Sequence, residues 1–226
     1  MRRSTRVVHC LALVLVLTAQ VFGTSRLMAF SAPAAKARNG AGAKDYVLVM
    51  HQMCPFAQRA WFALEESGLN FQLKEVGLGS SLVYDLNPKG LVPVLVDPDG
   101  KVIAESEDIV DIVMDKAGKQ STASEVSGIR QLVNQRLLAA GKKAKLFGQG
   151  GDLTPVLEDL DKLVVGPFMA GDDVSAADLS AAPMLQRLFE DSLVPSSCRN
   201  LHAWWKNINA RPTFQKTVVR SYWWWW

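Results

Sequence analysis

Closely spaced cysteine pairs are missing from this chain of 226 residues. Its three cysteines, Cys10, Cys54 and Cys198, are odd in number and far apart, which argues against a disulfide-stapled secreted module. No Cys/His spacing suits a zinc site, and no metal is expected. Neither GxxxxGK(S/T) nor GxGxxG occurs, so phosphate or dinucleotide binding has no motif behind it. No internal repeat is visible. Acidic residues are absent from the first 44 positions, which hold seven of the 25 lysines and arginines. The remainder therefore carries 18 bases against 22 acids, a net −4 concealed by the overall +3. A mildly acidic body speaks against a nucleic-acid partner. About half of the chain is apolar (49%), enough for a real core in one large domain or two small ones.

Residues 1–44 read as an address. Arg2, Arg3 and Arg6 precede an apolar run, Val7 to Phe22, and Val21-Phe22-Gly23 offers a place for a cut. This is a signal-peptide pattern, and the run is short for a span of ~20 residues. Thr24 to Lys44 is rich in Ala, Ser, Gly, Arg and Lys, as transit peptides are. With Phe30-Ser31-Ala32-Pro33 near the junction, the whole resembles the bipartite presequences of algae with secondary plastids. A plastid is the expected destination and simple secretion the alternative.

The body begins with alternating elements. Tyr46–Met50 is an apolar run of strand type. Pro55–Ser67 has helical spacing (Ala57, Ala60, Trp61, Leu64) and is closed by Gly68. Phe71–Val76, Leu91–Val96 and Lys101–Ala104 read as further strands, with Asp97-Pro98-Asp99-Gly100 a tight turn. Gly77–Asn87 reads as a loop with a short irregular helix, and Glu107–Lys116 as a helix. Beyond a polar linker, strand signals stop. Thr122 and Glu125 form a candidate capping box before a helix marked by Val126, Ile129, Val133, Leu137 and Ala140. Further helices follow over about 153–164, from Ser175 with Asp178 reaching back, and over about 200–209. The expected organisation is an α/β domain at 45–117 and an all-α domain at 122–220.

The chemistry is concentrated at Cys54-Pro55-Phe56-Ala57-Gln58-Arg59. A thiol where a strand turns into a helix faces unpaired backbone N–H groups and the positive end of the helix dipole, and Pro55 suits the first helical position. That placement favours the reactive thiolate. A free thiol titrates near ~8.5, and lowering it to ~5 takes about 5 kcal/mol. A helix terminus supplies at most ~2 kcal/mol. Direct N–H bonds and a cation must add the rest. Arg59 is either that cation or part of an interdomain salt bridge. Position 57 holds alanine, so the resolving thiol of a dithiol enzyme is missing. Cys198 reads as core.

The chain resembles the cysteine-bearing glutathione transferases, of the omega, lambda and dehydroascorbate-reductase-like classes. Besides the Cys54 segment, the resemblance rests on Asn87-Pro88-Lys89-Gly90-Leu91-Val92-Pro93-Val94, on Glu105-Ser106, on Phe168-Met169-Ala170-Gly171 through Asp178, and on Arg211-Pro212-Thr213-Phe214-Gln215-Lys216-Thr217. It implies a thioredoxin-like α/β domain followed by an all-α domain. It also implies glutathione as co-substrate, a small oxidised or electrophilic second substrate, and a monomer or homodimer. Cys54 is then the catalytic residue of a monothiol exchange through a glutathione mixed disulfide. Phe56, Lys89, Val92, Pro93, Glu105 and Ser106 are the implied glutathione-binding residues. A cis Val92–Pro93 bond lets the Val92 backbone pair with the cysteinyl unit, whereas the alternative is a trans proline on an edge strand. Ser106, opening a helix, suits a carboxylate, and Glu105 an α-ammonium. The lysine that omega-type loops commonly carry for the glycine carboxylate has no counterpart in Gly77–Ser81, and Lys89 is offset from it.

Two rivals come from other classes. Intracellular chloride-channel proteins share a Cys-Pro-Phe-x-Gln-Arg helix start and touch membranes, so weak membrane contact belongs to that alternative. Scaffold modules of the same fold, as in translation factors, usually lack the cysteine. Trp204 or Trp205 packs the terminal helix or faces substrate. The run Trp223–Trp226 lies over the pocket, at a membrane interface, or in a disordered tail.

Overall fold

The computed structural model describes residues 45–77, 79–119, 124–148 and 153–219, all within one compact unit. The expected presequence, the Thr122/Glu125 capping box and the four terminal tryptophans lie outside the described residues.

Strand β1 (Tyr46–Met50) leads into helix α1 (Pro55–Ser67), and strand β2 (Phe71–Glu75) returns parallel to β1, from Tyr46 opposite Phe71 to Met50 opposite Glu75. Helix α2 (Ser81–Leu86), strand β3 (Val94–Val96), strand β4 (Val102–Ile103) and helix α3 (Ser106–Lys116) follow. β3 runs antiparallel to both β1 and β4, giving the sheet order β2-β1-β3-β4. This is the expected thioredoxin-like half. Alternation along β1 decides the packing. Leu48 and Met50 join the main core with Ala57, Phe62 and Ile109, while Val49 packs with Val94 and with Val83 of α2 on the other face.

Three elements depart from the sequence reading. The strand expected from Leu91 starts only at Val94, because Val92–Pro93 is a cis peptide bond and Leu91 is left 60% exposed. The loop before it holds a regular helix, α2. Gly90, at φ +66°, lets the Tyr84 ring lie where a Cβ would collide, 2.4 Å away. The long helix ends as expected just past its basic residues Lys142, Lys143 and Lys145 but is interrupted, running as α4 (Ser124–Leu132), a π turn (Val133–Leu137) and α5 (Leu138–Phe147).

Helices α6 (Leu153–Leu163), α7 (Ala176–Glu190), α8 (Arg199–Asn209) and α9 (Pro212–Gln215) complete the all-helical half. α7 is its axis, buried from Ala176 to Leu188. Its first turn is tied down by Asp178, whose fully buried carboxylate accepts hydrogen bonds from Met169 N–H (2.9 Å), Ser175 N–H (2.9 Å), Ser175 Oγ (2.7 Å) and Trp204 Nε1 (2.7 Å). Burial pushes this carboxyl upward against those four bonds. Trp204 is thus a core residue, while the half-buried Trp205 stacks on Phe189 (5.1 Å) and meets Phe214 edge-on. Phe214 in turn packs edge-on against Phe62 of α1, at 5.1 Å.

Candidate active site

Cys54 occupies the N-cap of α1 in extended conformation (φ −76°, ψ 119°), with Pro55 at the first helical position. Its N–H bonds His51 O and its C=O receives Gln58 N–H, each at 2.9 Å. The half-buried sulfur faces the backbone N–H groups of Ala57 and Phe56, and as a thiol it points at Val92 O, 3.8 Å away. The cis Val92–Pro93 bond therefore stands directly across from the sulfur, as the resemblance implied.

The electrostatics correct one expectation. Burial pushes the Cys54 thiol above its ordinary value. The amides of Ala57 and Phe56, then the charges of Arg187 and Arg59, pull it down without cancelling the desolvation. The sequence showed the helix terminus and its donors. It did not show how far the packing on α1 removes the sulfur from water, which disfavours the ionised form. In this structure the packing around α1 therefore biases Cys54 toward the thiol.

Arg59 is neither an interdomain ion pair nor a close partner of the sulfur: it pairs with Glu107 of α3 inside the α/β half and crosses to the helical half through a hydrogen bond to Asn134. Only 2% exposed, it donates from Nη1 to Glu107 Oε1 (2.7 Å) and Asn134 Oδ1 (2.9 Å), the latter carried on the π turn. Glu107 also binds Arg130 Nε (2.5 Å) and Ser180 Oγ (2.9 Å), so α1, α3, α4 and α7 meet on one carboxylate. Burial pulls Arg59 down to about 10, with Glu107 resisting. Its guanidinium lies over the ring of Phe56, at 5.2 Å. Arg59 contributes the smallest of the four stabilising influences on Cys54.

Glu105 is the N-cap of α3 and Ser106 its first residue, buried at 7% exposure. The Glu105 side chain is open to solvent and pairs with Lys89 Nζ at 2.9 Å. Lys89 therefore stands beside the acid of the acid–serine pair, not at the position of a separate glycine-end base.

Two participants were missed from sequence. Arg187 of α7, 6% exposed, donates from Nη1 to Gln58 Oε1 (2.7 Å) and Pro183 O (2.6 Å), and from Nη2 to Met53 O (3.3 Å). Gln186, its neighbour, accepts from Gln58 Nε2 at its Oε1, 2.6 Å away. The available signal was this polar pair, Gln186-Arg187, inside the apolar stretch Ala181–Phe189. Cys198 is buried at the N-cap of α8, and neither it nor Cys54 is in a disulfide. Among the described residues no cluster of metal-ligating side chains occurs, and no helix is long and apolar enough to cross a membrane.

Comparison with known proteins bears on this arrangement. The family model of the glutathione S-transferase N-terminal domain matches residues 53–116, and that of the C-terminal domain matches residues 139–212. The chain is 32% identical over 181 residues to "Probable glutathione S-transferase DHAR4" of Arabidopsis thaliana, covering 73% of this chain and 83% of that protein. Names of further rice and Arabidopsis relatives carry both "cytosolic" and "chloroplastic". Among solved structures, glutathione transferase Omega 3C from Trametes versicolor superposes with a TM-score of 0.70 at 25% identity, covering 80% of this chain and 91% of that one.

Proposed function

Since the chain belongs to the glutathione S-transferase family, we propose that it is a glutathione-dependent thiol transferase of the dehydroascorbate-reductase type, with Cys54 as nucleophile. The observation that carries this reading is the sulfur itself. It sits at a helix N-terminus, faced by two backbone N–H groups, with the Val92 carbonyl opposite. In a conjugating transferase a hydroxyl activates the thiol of glutathione. A cysteine in that place forms a disulfide with it instead.

Cys54 loses its proton to solvent, and the thiolate attacks the glutathionyl sulfur of a mixed disulfide RSSG. The Cys54–glutathione disulfide forms and RS⁻ leaves. A second glutathione thiolate attacks that disulfide, releasing oxidised glutathione and regenerating Cys54. With dehydroascorbate the first step differs. The Cys54 thiolate adds to a carbonyl carbon, and a glutathione thiolate attacks the Cys54 sulfur of that adduct. The C–S bond breaks with its electron pair leaving on ascorbate, which takes up two protons in all. The same Cys54–glutathione disulfide results, and a second glutathione releases it. The N–H groups of Phe56 and Ala57 favour sulfur anion over thiol at each departure. Ser106 and Glu105 hold the γ-glutamyl end, with Lys89 beside them. The backbone of Val92, ahead of Pro93, pairs with the cysteinyl unit, and Phe56 flanks the sulfur.

A plastid address in residues 1–44 is part of this reading, supported by their charge pattern and by the chloroplastic names among relatives. Monomer and homodimer both accord with it. The test is Cys54→Ser in the full chain, assayed for glutathione-dependent reduction of dehydroascorbate and of β-hydroxyethyl disulfide. Both activities are expected to disappear. Retention of either at more than a few per cent would sink the mechanism.

A further inference from the structure

A guanidinium almost completely removed from water costs several kcal/mol unless its surroundings compensate. Arg187 is such a group, and the hydrogen bonds described for it end on α7 itself and on the segment that carries Cys54. Nη2 reaches Met53 O, the carbonyl immediately before the cysteine. Nη1 bridges Gln58, the residue whose N–H closes the first turn on Cys54 O, to Pro183 O on its own helix. Gln58 is fastened in turn to Gln186. One side chain from the helical half thus grips the peptide before the sulfur and the helical turn after it.

We propose that Arg187 is the positioning residue for Cys54: its planar fork fixes the Met53–Gln58 segment, and its charge, brought from the helical half, holds the sulfur anion formed in each exchange step. The other charged and titratable groups around this segment have separate assignments. Arg59 from α1 is engaged by Glu107 of α3, which Arg130 of α4 shares. His51, on the same loop, accepts Met53 N–H at its Nδ1 (3.3 Å). Glu190 is the acid facing Arg187, and it also accepts from Gln186 Nε2 at 3.0 Å. Of the two cations acting on Cys54, Arg187 acts more strongly than Arg59. Burial pulls Arg187 itself down to about 10, so it stays charged wherever the enzyme works.

The inference rests on Cys54 as nucleophile, which Cys54→Ser tests separately. Its own test reads alkylation of Cys54 by iodoacetamide against pH, which needs no glutathione turnover. Arg187→Gln keeps hydrogen bonding and removes the charge. Arg187→Lys keeps the charge and loses the fork. With Arg187→Gln, the alkylation rate at about pH 7.5 is expected to fall about three- to tenfold and the pH midpoint to move up. With Arg187→Lys, the midpoint stays near that of the unsubstituted protein. A folded Arg187→Gln with unchanged alkylation across pH overturns the proposal. Should that variant not fold, Arg187→Lys decides: a lowered limiting alkylation rate at an unmoved midpoint supports the proposal, whereas an unchanged rate–pH curve or a midpoint displaced upward overturns it.

Discussion

Asp178→Ala removes the acceptor of four buried hydrogen bonds at one stroke. The Ser175 hydroxyl can turn elsewhere, but the N–H groups of Met169, Ser175 and Trp204 cannot. Three stranded donors at ~1–3 kcal/mol each set an upper range. Relief from holding a carboxylate in the core, the burial that pushes its pKa up, offsets part of that. A net loss of about 4 kcal/mol is expected. In a protein of this size that lowers Tm by roughly 8–16 °C. Trp204→Phe strands no donor and withdraws one of four from the carboxylate, so about 1–2 kcal/mol is expected. Thermal melts followed by circular dichroism, with urea midpoints at fixed slope, measure both. The reasoning fails if Asp178→Ala melts within a degree or two of the unsubstituted protein, or if Trp204→Phe costs as much.

Two further expectations concern pH. Because burial raises the Cys54 thiol, the alkylation rate should keep climbing through and above the ordinary thiol range; a plateau already reached at about pH 6 contradicts a sulfur held protonated by desolvation. Glu66, buried at 6% exposure, is pushed up by burial. It ends below its ordinary value through hydrogen bonds from Arg211 (2.7 and 2.8 Å) and Thr213, with the charges of Arg211 and Lys119. Its stabilising contribution is therefore complete above its unfolded value of about 4.3 and is lost as pH falls through the lower folded one. Glu66→Gln should flatten that acid limb in melts taken from about pH 6 to 3, and an unchanged slope would remove Glu66 from the account.

The strand–cysteine–helix unit was legible because its signals are local: five residues of strand type, a proline where its missing N–H is harmless, and a glycine able to take φ +72° at the end. Glu105-Ser106 at the start of α3 was legible for the same reason. The state of the sulfur was not, because desolvation depends on what packs over α1, and α7 is distant in sequence. Arg187 was hidden likewise. A charged residue in an apolar helix declares that it is satisfied somewhere without saying where. The π turn that carries Asn134 toward Arg59 leaves little trace in a pattern of apolar spacing.

Gln58 and Arg59 are neighbours in sequence, yet they are tied to different helices, Gln58 to α7 and Arg59 to α3 and the π turn. A chimera that kept this α/β half and borrowed a helical half from a relative would leave the Gln58 amide facing strangers and the Arg59 cation with Glu107 but no Asn134. Such a graft inherits the nucleophile in name only, unless counterparts of Gln186, Arg187 and Asn134 travel with it.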